Sequence, residues 1–180
     1  MADDIKSNEI RLAGISPQSL VNGPGLRKVY FSQGCKHHCF NCFNPETWSF
    51  TGGSIFDINL LINELEKEIY LDGVTFSGGD PMEQASKMKL LAKAAKGMKL
   101  STWAWTGYTW SELVDKMKTD KDLEEFVSYL DVVVDGKFIE ELRSNDAEVD
   151  HPFRGSANQK LVDVKKSWNK HEPVLFELEK

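Results

Sequence analysis

The spacing of apolar residues changes several times along the chain, and each change predicts an element. Between Ile10 and Ile15 the alternation is loose, which predicts a first, edge-like strand. Arg27 to Ser32 reads as a second strand after a Gly23-Pro24-Gly25 turn. A helical period then takes over, placing Ile58, Leu61, Ile62, Leu65 and Ile69 on one face behind Asp57, a suitable N-cap. Asp72-Gly73 ends that helix, and Val74 to Ser77 is a short buried strand. Pro81 opens the next helix, with Met82, Ala85, Met88, Leu91, Ala92 and Ala95 facing inward and Gly97 as its stop. Leu100 to Trp105 is a strand with Trp103 and Trp105 on one face. Thr109-Trp110-Ser111-Glu112 has capping-box spacing, and helical patterning runs on to Tyr129 with a break near Thr119-Asp120. Asp131 to Val134 and Leu161 to Val164 complete the strands, and residues 139 to 151 form a charged surface excursion. The tail from Lys165 is basic and then acidic, with Trp168 as an anchor.

Strands that alternate with helices imply βαβ units around a parallel sheet. The 180 residues are too few for a closed eightfold barrel, which typically takes about 250. The expected fold is therefore α/β, an open partial (βα) barrel with five or six mainly parallel strands. One domain is expected over residues 1–180, with its core at about 10–164 and a tail at 165–180.

Charge and composition narrow the partners. The net charge is −6 and no basic block occurs, which argues against binding nucleic acid through its phosphates. No apolar run approaches the roughly 20 residues of a membrane span, and the acidic Met1-Ala2-Asp3-Asp4 is unlike a signal peptide. A soluble, cytoplasmic protein with no membrane or nucleic-acid partner is expected. Lys28 stands where a third dinucleotide-binding glycine would fall, and no phosphate-binding loop sequence occurs.

The chemistry concentrates in Cys35-Lys36-His37-His38-Cys39-Phe40-Asn41-Cys42, which holds every cysteine in the chain with C-x3-C-x2-C spacing. The count is odd and the expected compartment reducing, so disulfides are not expected. On the cysteines alone two readings stay open. One is a structural zinc with His37 or His38 as fourth ligand, in a non-enzymatic adapter. The other is a four-iron cluster held by three thiolates, leaving one iron for a small molecule. The chemical motifs all follow predicted strands, and the carboxyl ends of parallel strands are where α/β sites form.

The flanks carry a resemblance. Val21-Asn22-Gly23-Pro24-Gly25-Leu26-Arg27, Phe31-Ser32-Gln33-Gly34-Cys35 and Asn44-Pro45-Glu46-Thr47-Trp48 resemble the radical S-adenosylmethionine (SAM) activating enzymes of glycyl-radical proteins. Val74-Thr75-Phe76-Ser77-Gly78-Gly79-Asp80-Pro81, Trp105-Thr106-Gly107-Tyr108, Val133-Val134-Asp135-Gly136 and Phe153-Arg154-Gly155-Ser156-Ala157-Asn158-Gln159 follow in the family's order. The closest likeness within that family is to activators of anaerobic ribonucleotide reductase. The resemblance implies the radical-SAM type of partial barrel and a [4Fe-4S] cluster on Cys35, Cys39 and Cys42. It further implies reductive cleavage of SAM, a glycyl radical made on the large reductase subunit, and a flavodoxin- or ferredoxin-type electron donor. A formate-lyase-type partner is the alternative.

By the same resemblance, Gly78 and Gly79 hold the SAM amino group through close backbone approach. Asp80 replaces the usual Glu, and is equally suited to capping a helix. Asn41 stands where many radical-SAM enzymes carry an aromatic against adenine, so its backbone is expected to serve. Thr106 and Asp135 occupy SAM-binding positions, in some relatives around a monovalent cation, although Asp135 also suits a turn before Gly136. Arg154 falls near the expected SAM carboxylate, or is a surface cation. Phe40 and Phe43 are expected to shield the cluster, and His37 and His38 to face solvent.

Overall fold

The computed structural model describes residues 6–143, 152–170 and 172–178. Its elements in chain order begin with β1 (Glu9–Ser19), β2 (Arg27–Ser32), β3 (Ser54–Asp57) and α1 (Ile58–Leu65). β4 (Gly73–Gly78), α2 (Ala85–Gly97), β5 (Ser101–Trp105), α3 (Trp110–Met117) and α4 (Lys121–Ser128) follow. β6 (Val132–Asp135), β7 (Lys160–Asp163) and α5 (Val164–Lys170) complete them. The predicted caps are present: Asp57 accepts from the Asn59 and Leu60 amides, and Thr109 with Glu112 forms the capping box. The break near Thr119 separates α3 from α4, with Asp120 capping the latter. α1 is shorter than its pattern, because Ile69 lies beyond its end and is 93% exposed.

The strands form one open sheet in the order β3-β1-β2-β4-β5-β6-β7. The four central strands β2, β4, β5 and β6 are parallel, and the pairings that flank them are antiparallel. This corrects the expected five or six strands to seven. The extra one, β3, takes the edge that had been assigned to β1. β3 is only four residues of half-exposed chain, too short to show a period. β7 runs antiparallel to β6, and between Asp135 and Lys160 the described residues contain only the 3-10 turn Glu140–Leu142. Most of residues 139 to 151 lie outside the described chain.

Alternation along the strands splits the core between two faces. Tyr30, Phe76, Ala104, Val133 and Val162 pack against Met88, Leu91, Leu113 and Phe126 of the helical layer. Trp103, Val132, Val134 and Leu161 form the other face, covered by Phe153 and Phe176. Trp103 and Trp105 share this face as expected, their rings 5.9 Å apart. The tail returns here: the Phe176 amide donates to the Leu161 carbonyl at 2.8 Å, and its ring sits 5.5 Å from Trp103. Parallel register puts Ser32 beside Gly78 and Trp105 beside Val134, which aligns the carboxyl ends of the central strands on one rim.

Candidate metal and cofactor site

The cysteine loop leaves β2 along a path fixed by the chain's own hydrogen bonds. The Gly34 amide donates to Thr47 O at 2.8 Å and the Cys35 amide to Trp48 O at 3.2 Å. The Gln33 side-chain amide donates to the Glu46 and Ser49 carbonyls, and Gln84 donates to the Gln33 carbonyl. Asp80 N donates to Gly34 O at 2.9 Å, tying the loop's root to the segment after β4. The Asn44–Trp48 motif is therefore the far wall of the loop.

Each sulfur meets a backbone N–H. Amides of His37 and His38 point at Cys35, that of Phe138 at Cys39, and the Asn44 amide lies 3.5 Å from Cys42 Sγ. Burial pushes the Cys35 thiol up to about 11, with Asp80 and Cys39 adding to it and the His37 and His38 amides opposing. Burial likewise raises Cys39. Free, the Cys35 thiol stays protonated at neutral pH; a bound metal would displace that proton, and the amides would then stabilise the thiolate.

The donor set fits a cubane: each of three thiolates takes a different iron, and the fourth iron is left for a small molecule. Among the described residues no three His, Cys, Asp or Glu side chains converge on one point. His37 Nε2 is bound to Asp80 Oδ2 at 2.7 Å, and exposed His38 packs edge-on against Trp48. The buried placement of His37 corrects the expectation that it faces solvent; its side chain is 7% exposed.

The three cysteines open onto a cavity of about 290 Å³, also lined by Phe31, Ser77, Gly78, Gly79, Thr106 and Gln159. Gly78 has φ +95°, and an added Cβ would lie 2.6 Å from Ser32 N. At Gly79 a Cβ would lie 2.5 Å from Gly34 O. Both glycines line the cavity, but the close approach that demands them is to the chain's own backbone, at Phe31 and Ser32 of β2 for Gly78 and beside Cys35 for Gly79.

Asp80 is 0% exposed. Its Oδ1 accepts from the Met82 amide, which is the capping role expected of it. Its Oδ2 accepts from Thr106 Oγ1 at 2.8 Å, from the Gly107 amide at 3.0 Å and from His37. Beside it Tyr108 donates to Glu83 at 2.5 Å, and Lys36 pairs with the same carboxylate. Burial works against the Glu83 charge, but these two partners outweigh it and hold the carboxyl below its usual range.

Asp135, Arg154 and Asn41 lie off the cavity. Asp135 accepts from the Trp110 amide at 2.7 Å and the Lys160 amide at 3.2 Å, joining the start of α3 to β7. Burial raises its pKa, and the Trp110 and Lys160 amides pull the other way. Arg154 donates to the Gln159 carbonyl at 3.3 Å. Asn41 is exposed at φ +51°, a left-handed position that Asn tolerates. Phe43 lines the cavity against Phe138, but Phe40 is 73% exposed, so it does not cover the loop as expected.

Residues 21–162 match the 4Fe-4S single cluster domain. The anaerobic ribonucleoside-triphosphate reductase-activating protein of Haemophilus influenzae is 37% identical over 151 residues, covering 79% of this chain and 91% of the relative. Its namesakes from Vibrio cholerae and enterobacteria phage T4 are each 37% identical, over 79% and 82% of this chain and 91% and 90% of theirs. The chain belongs to this family of reductase-activating proteins.

Within this family member, Gln159 is the residue that motif reading under-used. Its Oε1 accepts from the Gly155 and Ser156 amides, its Nε2 donates to Gly136 O, and it lines the cavity. Arg154 and Gln159 belong to the same motif, and of the two Gln159 lines the cavity. No helix among the described residues is long and apolar enough to cross a membrane.

Proposed function

We propose that this chain is a radical-SAM oxidoreductase that activates the anaerobic ribonucleotide reductase by forming a glycyl radical on its large subunit. The observation carrying this is three cysteines, each met by a backbone N–H, opening onto one cavity with the glycine pair. A [4Fe-4S] cluster on Cys35, Cys39 and Cys42, supplied with an electron by a flavodoxin- or ferredoxin-type protein, would reductively cleave SAM to methionine and a 5′-deoxyadenosyl radical, which takes hydrogen from the target glycine.

The chain's own part is placement. Gly78 and Gly79 supply a side-chain-free wall where the SAM amino group would lie. Thr106 lines the cavity while its hydroxyl is committed to Asp80, so it orients the wall. Asp80, Asp135 and Arg154 brace the surrounding segments, and Asn41 sets the turn before Cys42. The relatives' names favour the reductase over a formate-lyase-type partner.

Anaerobic reconstitution tests the cofactor reading. About four irons and four sulfides per chain are expected, with 5′-deoxyadenosine released from SAM on reduction. Replacing Cys35, Cys39 or Cys42 by Ala abolishes that release. Undiminished cleavage in any one variant contradicts the assignment.

A further inference from the structure

We propose that Asp80, through His37, is the positioning residue that seats the cysteine loop and so governs how firmly the cluster is held. This rests on the cluster reading above. Two of the three residues between the first and second cysteines are anchored, and both to the segment after β4. Lys36 pairs with Glu83, and His37 with Asp80.

The His37 contact is a built one. Asp80 Oδ2 receives three donors from two separate segments: His37 of the loop, and Thr106 with Gly107 after β5. Oδ2 already accepts from the Gly107 amide, which can only donate, and in the bond it shares with His37 the ring supplies the N–H. The imidazole packs edge-on against Tyr108 with centroids 4.5 Å apart. A Cβ on Gly107 would lie 2.3 Å from the His37 ring, so the seat also depends on that glycine. His37, Thr106 and Gly107 also border the cavity, while Asp80 stands behind them and acts through them. They fix the span from Cys35 to Cys39 against the rim, where a buried hydrogen bond to a charged group resists opening strongly.

The test is the rate at which a ferrous chelator strips iron anaerobically from the reconstituted protein, read beside its thermal midpoint. His37→Phe keeps an aromatic against Tyr108 and loses the donor. Release should quicken about tenfold or more, the scale of one buried charge-assisted hydrogen bond. His37→Gln places an amide N–H near the position of Nε2 and should return the rate to within about twofold of wild type. Gly107→Ala would set a Cβ 2.3 Å from the ring and 2.7 Å from Nε2, pushing the imidazole off Asp80, and should match His37→Phe. Combining His37→Phe with Asp80→Ala should add little to the faster single variant, because both break one coupling. Wild-type release from His37→Phe overturns the proposal. So does equally fast release from Phe and Gln variants, or quickening that merely tracks a lowered midpoint. SAM cleavage enters none of these readings, so failure here leaves the functional reading standing, and the reverse.

Discussion

At Gly79 a single missing Cβ makes room for the Gly34 carbonyl, one residue before the first cysteine. A side chain there meets backbone, which cannot swing aside as a flexible side chain can. Gly79→Val is therefore expected to lose iron on reconstitution as well as SAM affinity. A variant that keeps its full iron and loses only SAM would return the glycine's role to ligand approach. Asp135 makes a second single-residue case. Its carboxylate caps α3 and pins β7, so Asp135→Ala should cost about 1–2 kcal/mol of unfolding free energy. Burial raises its folded pKa above the ordinary 3.8. The folded state thus holds this proton more tightly than the unfolded chain, and stability from this group falls as pH rises through that interval. Chemical denaturation of wild type and Asp135→Asn across the acidic range should show wild type losing ground as pH increases. A difference independent of pH would mean the carboxylate is not penalised by burial.

Among elements, the central strands and helices were legible because their periods are long and their caps explicit. Asp57, Thr109 and Asp120 stand where their side chains accept the first free amides. What escaped was set by distant contacts. β3 is held by pairing with β1 rather than by a pattern of its own. β7 reads as a strand from Leu161 and Val162, but nothing local states its direction. The cysteines were legible through spacing, whereas the burial of His37 depends on Asp80 forty-three residues away. Gln159 belongs with these: its side chain organises the turn from Gly155 to Ser156 and reaches Gly136 after β6. Gln159→Ala leaves those groups without their partner and should cost about 2–3 kcal/mol, while weakening SAM binding at the cavity wall. Unchanged stability by denaturant unfolding would show that solvent replaces the amide.

For the whole molecule, the parallel register of β2, β4, β5 and β6 delivers the cysteine loop, the glycine pair and Thr106 to one rim. The loop is stapled by protein hydrogen bonds at Gly34, Cys35 and Gln33, so removing the cluster should leave the sheet standing. Far-UV circular dichroism of chelator-stripped protein should keep the spectrum of the reconstituted form; a collapse would make the cluster a folding requirement. The proposed function rests on radical transfer to a protein partner. Electron paramagnetic resonance tests it most directly, on an anaerobic mixture of this chain, SAM, a low-potential donor and the large anaerobic reductase subunit. The predicted result is a carbon-centred glycyl radical split by its α-hydrogen, with deuterium from a labelled target glycine appearing in 5′-deoxyadenosine. SAM cleavage that leaves the reductase without a radical, while a formate-lyase-type protein acquires one, would contradict the choice of partner.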